Sequence, residues 1–197
     1  MTPVPMKPTR VHWPDVPPQP WRNGGGSTRE LLAFPAGEAW QLRVSVADIE
    51  AEGPFSAFIG VQRWFTVLQG AGVELDIDGH VQRLRRGDPP LRFDGAAGVG
   101  CRLIDGPTRD LNFMLRAADG RMEAAVDGQA WTPAATQCGL FSAVAGVCSA
   151  GAQQHTVAPY SLLWFDGAPA ALTFNAAQRP AGLIGWWMAA TPRPPRP

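Results

Sequence analysis

Residues 61–84 read VQRWFTVLQGAGVELDIDGHVQRL, and this stretch carries the clearest local signals for the fold. In its second half, the pair Asp78 and Gly79 separates two segments in which apolar and polar residues alternate. The Asp-Gly pair favours the positive φ angles that a two-residue turn between antiparallel strands requires. We therefore predict a β-hairpin over residues 73–84.

The rest of the chain has the same texture of short strands. Its 197 residues include 20 prolines and 22 glycines, scattered between short apolar runs, which interrupts long helices and is typical of strands joined by tight turns. In one alternating segment, the apolar Leu42, Val44 and Val46 share one face of a strand. Arg43 and Ser45 lie on the other face. These patterns predict an all-β fold.

Strand-like segments continue after residue 130 and predict a second β unit. Residues 122–126 fit either a strand or one turn of helix, and we favour the strand. We therefore divide the chain into a barrel at 1–130 that begins with a proline-rich arm, a smaller barrel at 131–190 and a proline-rich tail at 191–197. We expect the arm and the tail to be extended or disordered.

Charge and cysteine content restrict the partners and the compartment. Seventeen basic and 17 acidic residues balance, with no run of lysine or arginine, so we expect neither nucleic acid nor a membrane surface as a partner. The three cysteines (Cys101, Cys138 and Cys148) lack C-x-x-C spacing and lie among apolar residues, which indicates buried thiols in a reducing compartment. Residues 1–20 contain no secretory apolar segment. These features predict a cytoplasmic protein.

Residues 55–95 resemble the cupin superfamily in their spacing. The first cupin motif places a metal-binding glutamate seven residues before a glycine that is reached through Val-Leu-x-Gly. Residues 67–70 (VLQG) supply that ending, and counting back seven residues from Gly70 leads to Arg63. The usual carboxylate ligand is therefore replaced by a cation.

The other metal-ligand positions of the cupin motifs also lack their ligands. The His-x-His pair of the first motif would fall within residues 56–59, which include Phe58 and no histidine. In the second motif, which fits the spacing of residues 87–95, Phe93 takes the proline position and Gly98 the histidine position. A metal site needs two or three converging ligands, so we expect no metal and assign no cofactor.

Five segments carry a more specific resemblance: residues 21–31 (WRNGGGSTREL), 42–49 (LRVSVADI), 53–58 (GPFSAF), 60–63 (GVQR) and 110–114 (DLNFM). These segments resemble the HutD/Ves family, bicupins associated in bacteria with histidine utilisation. The resemblance implies an all-β double cupin (bicupin) barrel or jelly roll and no established enzymatic activity. It also implies a role in sensing or limiting flux through histidine breakdown.

Arg63 is the first candidate for a binding residue. If it replaces the inward-facing glutamate, strand parity places Phe65 on the same inward face, so a guanidinium lies in an apolar barrel and needs a partner. One interpretation is a ligand carboxylate, held by the bidentate fork of the arginine. The alternative, which we leave open here, is an internal salt bridge to Glu30, Asp48 or Asp110.

Further candidates lie on neighbouring segments. Arg43 and Ser45 suit either a pocket wall or a solvated face, and Asn112 suits either a pocket or a backbone-capping role. Residues 23–28 (NGGGST) allow close approach of the backbone to an anion, or form a flexible loop before a strand. The resemblance places this loop and Glu30 near the pocket. The complete predicted ligand-binding set is Arg63, Arg43, Ser45, Asn23, Glu30, Phe58, Phe65 and Asn112.

The sequence thus favours a metal-free bicupin that binds a small carboxylate, with urocanate and N-formylglutamate as candidate ligands. The first alternative is a metal-independent isomerase or hydrolase that uses Glu30 or Asp48 as a base beside Arg63. The second alternative is a protein-interaction module whose exposed tryptophans mark a homodimer or partner surface. We assign no catalytic residue.

Overall fold

The structure, a computed structural model, describes residues 7–178 and 182–192. Over these residues the chain forms β-strands and one short 3-10 turn at Trp13–Asp15, which confirms the all-β class. No helix in this part of the chain is long and apolar enough to cross a membrane. The strands in chain order are β1 (Thr9–His12), β2 (Gln19–Pro20), β3 (Gly26–Phe34), β4 (Leu42–Ile49), β5 (Gly53–Pro54), β6 (Val61–Gln69), β7 (Val73–Ile77), β8 (His80–Leu84), β9 (Leu91–Asp94), β10 (Val99–Leu103), β11 (Thr108–Arg116), β12 (Ala118–Ala124), β13 (Ala130–Trp131), β14 (Gln137–Ser142), β15 (Gly146–Ala150), β16 (Gln153–Val157), β17 (Ser161–Phe165), β18 (Leu172–Ala176) and β19 (Gly185–Pro192).

Residues 16–117 form one compact unit that contains two antiparallel sheets. The strand order is β2-β3-β4-β11-β6-β9 in the larger sheet and β5-β10-β7-β8 in the smaller one. Both sheets contribute to one apolar core, with Phe65 and Val67 from the larger sheet packed in the same cluster as Leu75 and Cys101 from the smaller. Two antiparallel sheets packed on one core, with non-sequential strand neighbours, form a jelly roll.

The predicted hairpin is confirmed in the smaller sheet. Ile77 and His80 are register partners in β7 and β8, and Asp78 and Gly79 form the turn with φ angles of 49° and 86°. The Gly79 backbone N–H donates to the Asp76 carboxylate at 2.8 Å. Positive φ at both central residues matches the type of turn that the Asp-Gly pair favours.

The described residues within 7–15 and 118–192 form the other unit. Its described strands make two antiparallel sheets, ordered β1-β17-β14-β19-β12 and β13-β18-β15-β16. The core is apolar and aromatic, and Trp131 stacks on Trp187 with 5.0 Å between ring centroids. Leu140 and Phe174 are fully buried in the same core. This unit is a second jelly roll.

The division into units differs from the predicted boundary at residue 130. Strand β12 pairs with β19, so the second unit takes up the chain from residue 118. The strand predicted at residues 122–126 is the end of β12, which stops at Ala124. Strand β1 pairs with β17 through Val11 and Leu162, so part of the N-terminal arm is an edge strand of the second unit. The proline-rich composition of the arm predicted an extended or disordered segment, because composition carries no information on pairing with a distant strand. Of the predicted terminal segments, residues 1–6 and 193–197 lie outside the described residues.

Candidate functional site

A cavity of about 660 Å³ lies within the unit formed by residues 16–117. Side chains from β4, β6 and β11 of the larger sheet form its wall, and Thr28 of β3, residues 20–23, residues 54–56 and Phe58 contribute further lining. Arg22, Asn23 and Ser56 are exposed, which marks the opening of the cavity to solvent. The volume falls within the range of small-molecule sites.

Strand register arranges the polar wall in two rows. In one row, Met114 of β11 pairs with Arg43 of β4 on one side and with Arg63 of β6 on the other. In the next row on the same face, Asn112 likewise pairs with Ser45 and with Phe65. Because neighbouring strands are about 4.8 Å apart, the backbones that carry the two arginines are roughly 10 Å apart. Two cations therefore face one cavity with amide and hydroxyl groups beside them.

Arg63 is buried, with 5% of its surface exposed. One terminal nitrogen donates to the Asn112 side-chain oxygen at 2.8 Å. The guanidinium carbon lies 5.0, 5.3 and 5.6 Å from the ring centroids of Phe93, Phe55 and Phe58, within reach of cation–π attraction. The Arg63 Nε has no hydrogen-bond partner in the described part of the chain. Burial, and then the nearby charge of Arg43, lower the pKa of Arg63 to about 10, so it remains charged at neutral pH.

The salt bridges that the sequence left open for Arg63 are not formed. Glu30 instead accepts a hydrogen bond from the Arg43 Nε at 2.7 Å. Asp48 accepts from the Arg109 Nε at 2.6 Å, and it lies on the face of β4 opposite the cavity wall, as strand parity requires. Neither carboxylate therefore compensates the charge of Arg63.

Asp110, the third predicted partner, is also engaged elsewhere. It is fully buried and accepts a hydrogen bond from the Thr108 hydroxyl at 2.7 Å. Burial raises the pKa of Asp110 to about 8, and the Thr108 hydrogen bond offsets only part of this effect. Asp110 is therefore mainly protonated at neutral pH and gives Arg63 no counter-charge.

The structure brings most of the predicted set to this cavity. Glu30 is the exception, because it is not part of the lining and reaches the site only through its ion pair with Arg43. The role of the set in ligand binding stays a prediction. The predicted residues that line the cavity are Arg63, Arg43, Ser45, Asn23, Phe58, Phe65 and Asn112.

The glycine-rich loop has a structural role as well as a position at the cavity. The Asn23 side-chain oxygen accepts a hydrogen bond from the Gly25 backbone N–H at 3.1 Å, which closes the turn. A Cβ atom at Gly26 would lie 2.2 Å from the Asp48 carbonyl oxygen, so the close approach of β3 to β4 requires glycine there. The loop leads into a strand, as one of the two interpretations predicted.

Sequence reasoning missed several lining residues. Trp21 donates its indole N–H to the Thr28 hydroxyl at 2.8 Å, and both residues line the cavity. Phe55 and Arg22 also line it. Trp21, Arg22 and Thr28 lie in residues 21–31 and Phe55 lies in another matched segment, so the family resemblance was the signal that could have identified them.

The lining residues, all within the described chain, determine what chemistry the cavity offers. They include arginine, asparagine, serine and threonine, but no carboxylate, histidine, cysteine, lysine or tyrosine. Across the described residues, no group of three or more histidine, cysteine, aspartate or glutamate side chains is placed to hold a metal ion. The cavity thus offers positive charge, hydrogen bonds and aromatic surface.

Two jelly-roll units give this chain a double cupin fold. Comparison with solved structures supports the fold, for example with a cupin 2 conserved barrel domain protein from Leptotrichia buccalis, at a TM-score of 0.57 and 9% identity over 94% of this chain and 96% of the other. The HutD family model matches residues 14–183, and the chain belongs to the HutD family.

Individual relatives agree with this assignment. HutD from Pseudomonas fluorescens SBW25 has a TM-score of 0.80 and 32% identity, with 95% of this chain and 100% of the other covered. Protein Ves of Citrobacter koseri is 33% identical over 155 residues, 77% of this chain and 80% of the relative. An uncharacterized 21.2 kDa protein in the hutC 3' region of Pseudomonas putida is 42% identical over 104 residues, 51% of this chain and 54% of that relative. The chain therefore spans about half the length of the P. putida relative.

Proposed function

We propose that the protein binds a small carboxylate in the cavity and does not change it chemically. One observation carries the proposal: Arg63 is buried and charged, and none of the described carboxylates pairs with it. Burying an uncompensated charge is costly, and a ligand carboxylate would remove that cost. The guanidinium fork suits a carboxylate, because two parallel N–H groups can donate to its two oxygens.

The neighbours of Arg63 support a carboxylate with an unsaturated or planar body. Phe55, Phe58 and Phe65 line the same cavity and offer aromatic surface next to the charge. Asn112 already accepts one hydrogen bond from Arg63, and its amide N–H₂ group is a donor suited to a ligand oxygen. The site therefore combines one anchoring cation, polar neighbours and apolar walls, which is the usual composition of a small-molecule pocket.

The lining also favours binding over catalysis. General acid–base catalysis needs a group that gains or loses a proton near neutral pH, and the lining residues include no such group. Glu30 and Asp48, the bases considered from the sequence, are held in ion pairs with Arg43 and with Arg109. The hypothesis of a metal-independent enzyme thus lacks a base at the cavity.

Urocanate and N-formylglutamate are the candidate ligands that we propose. Both are carboxylates of histidine degradation, the pathway with which the HutD family is associated. Urocanate is planar and carries one carboxylate, which suits the aromatic walls. In this proposal the protein acts in the cytoplasm, where it senses or limits histidine utilisation through the level of its ligand. The buried, unbridged cysteines support a reducing compartment.

A thermal-shift comparison tests the proposal. Urocanate, N-formylglutamate and the methyl ester of urocanate are added at equal concentrations. A ligand that binds only the folded state at about 100 times its Kd adds about 2.7 kcal/mol, which raises the midpoint by roughly 5–10 °C for a chain of this size. We expect the shift from at least one carboxylate and none from the ester. No shift from either carboxylate, or an equal shift from the ester, would contradict the proposal. NMR spectra of the incubated ligands should show no new resonances.

A further inference from the structure

Glu30 is placed where it controls the charge of the cavity without lining it. It pairs in register with Ser45, a lining residue, and the register shift between Glu30 and Leu32 marks a β-bulge in β3. Its carboxylate accepts from the Arg43 Nε at 2.7 Å, with 36% of the Glu30 side chain and 15% of the Arg43 side chain exposed. The terminal nitrogens of Arg43 have no acceptor among the described residues, so they are available to the cavity.

The charges at the buried wall of the cavity leave a single net positive charge there. Arg43 and Arg63 are both cationic, and they are close enough that the charge of Arg43 lowers the pKa of Arg63. Glu30 offsets one of these charges. Asp110 lies nearby on β11 but is mainly protonated at neutral pH. Arg22 is exposed, so water screens its charge.

We propose that Glu30 is a specificity-determining residue: it limits the net charge at the buried wall of the cavity to one and so favours monoanionic carboxylates, among them urocanate, over dianions such as phosphate and N-formylglutamate, which has two carboxylates. The proposal rests on the carboxylate-binding function. Two neighbouring guanidinium groups without an acidic partner are well suited to a phosphate dianion, since arginine forks recognise phosphate as well as carboxylate. Glu30 removes that advantage because its charge repels a dianion twice as strongly as a monoanion.

The experiment compares wild type with Glu30→Gln in the full chain, using acetate and inorganic phosphate as probes at matched ionic strength. Affinities are measured by calorimetric titration at two pH values, one pH unit above and one pH unit below the second pKa of phosphate. Removing one partly screened negative charge beside the cavity should strengthen acetate binding about threefold and, because the repulsion scales with ligand charge, dianionic phosphate binding about tenfold. Below that pKa phosphate is a monoanion, so the increase in phosphate affinity caused by Glu30→Gln should fall to the increase seen for acetate. A purely structural role for Glu30 would not produce this dependence on ligand charge.

Two variants serve as controls. Glu30→Asp keeps the negative charge and should keep the wild-type ratio of phosphate to acetate affinity. Glu74→Gln removes a glutamate that pairs with Arg83 and Arg102 on the smaller sheet, away from the larger-sheet wall of the cavity, and should leave the ratio unchanged. A ratio in Glu30→Gln equal to that of wild type, or an equal rise in Glu74→Gln, would overturn the inference.

Arg63→Met, titrated with acetate alongside, separates failure of the inference from failure of the proposed function. If acetate binds wild type and Arg63→Met equally, or binds neither, then the proposed carboxylate site itself is wrong. If acetate binding depends on Arg63 while Glu30→Gln keeps the wild-type ratio, then only the role of Glu30 is wrong.

Discussion

Replacing Arg63 with methionine removes a buried charge while it keeps an apolar stem of similar volume. In the absence of ligand, the structure predicts that this change does not destabilise the protein. The difference between the lowered pKa of about 10 and the ordinary value of 12.5 corresponds to roughly 3 kcal/mol of cost for burying the charged form. Methionine does not carry this cost.

Favourable contacts of Arg63 offset part of that cost. The cation–π contacts with three phenylalanine rings and the hydrogen bond to Asn112 together stabilise it by about 1–3 kcal/mol. We therefore expect the unfolding free energy of Arg63→Met to be equal to that of wild type or up to about 2 kcal/mol higher. An internal salt bridge would instead predict a loss of about 3–5 kcal/mol, because a carboxylate would be left buried and unpaired.

The affinity for a carboxylate ligand should fall in Arg63→Met, although the stability of the protein does not. Arg63→Met should weaken carboxylate binding by about 2–5 kcal/mol, and Arg63→Lys should recover only part of this, since an ammonium group cannot form the bidentate pair. Calorimetric titrations with urocanate and N-formylglutamate, run beside urea melts of the same variants, measure both quantities. Arg109→Met is the control, because its partner Asp48 lies outside the cavity lining. It should lower stability by about 1 kcal/mol and leave affinity unchanged.

The two measurements together decide the role of Arg63. Unchanged carboxylate affinity with a loss of stability in Arg63→Met would make this arginine a structural residue and refute the reasoning. Lost affinity in Arg109→Met would show that the effect does not arise in the cavity.

Three further predictions concern the rest of the molecule. Burial raises the pKa of Asp110 from 3.8 to about 8, so the folded state keeps a proton that the unfolded chain loses, and stability falls as pH rises through that window. In urea melts, Asp110→Asn should stabilise the protein on the order of a few kcal/mol at the upper end of the window and little at the lower end, and equal effects at both ends would contradict this. Burial raises the pKa of all three cysteines to about 12, so thiol titration at neutral pH should find them only in denaturant, and recovery of a single thiol would indicate a disulfide. Elemental analysis after purification without a metal-affinity column should find no stoichiometric metal, and about one iron, manganese or zinc per chain would be the contrary result.

Local chemistry explains which features could be predicted from the sequence. Asp78 and Gly79 specify their turn because the two residues themselves tolerate the required φ angles. Arg63 could be placed by counting seven residues back from Gly70, and the period of two along a strand then put Phe65 on the same face. These inferences depend only on near neighbours in the chain.

Long-range pairing and irregularities explain what could not be predicted. No local signal near Val11 indicates that β1 joins β17, because its register partner, Leu162, lies 151 residues further along the chain and is known only once the strands pair. Glu30 was expected to line the pocket, but it is not among the lining residues, and its carboxylate is engaged by the Arg43 Nε. Ion-pair partners depend on the register of three strands at once, so the partner of Arg63 could not be decided from its own strand.

A crystal structure of the protein with urocanate or N-formylglutamate would test the central claim most directly. We predict density for the ligand carboxylate within about 2.7–3.0 Å of the guanidinium nitrogens of Arg63, with the ligand body against the phenylalanine rings of the cavity. A ligand bound outside the cavity, or one whose carboxylate makes no contact with Arg63, would contradict it.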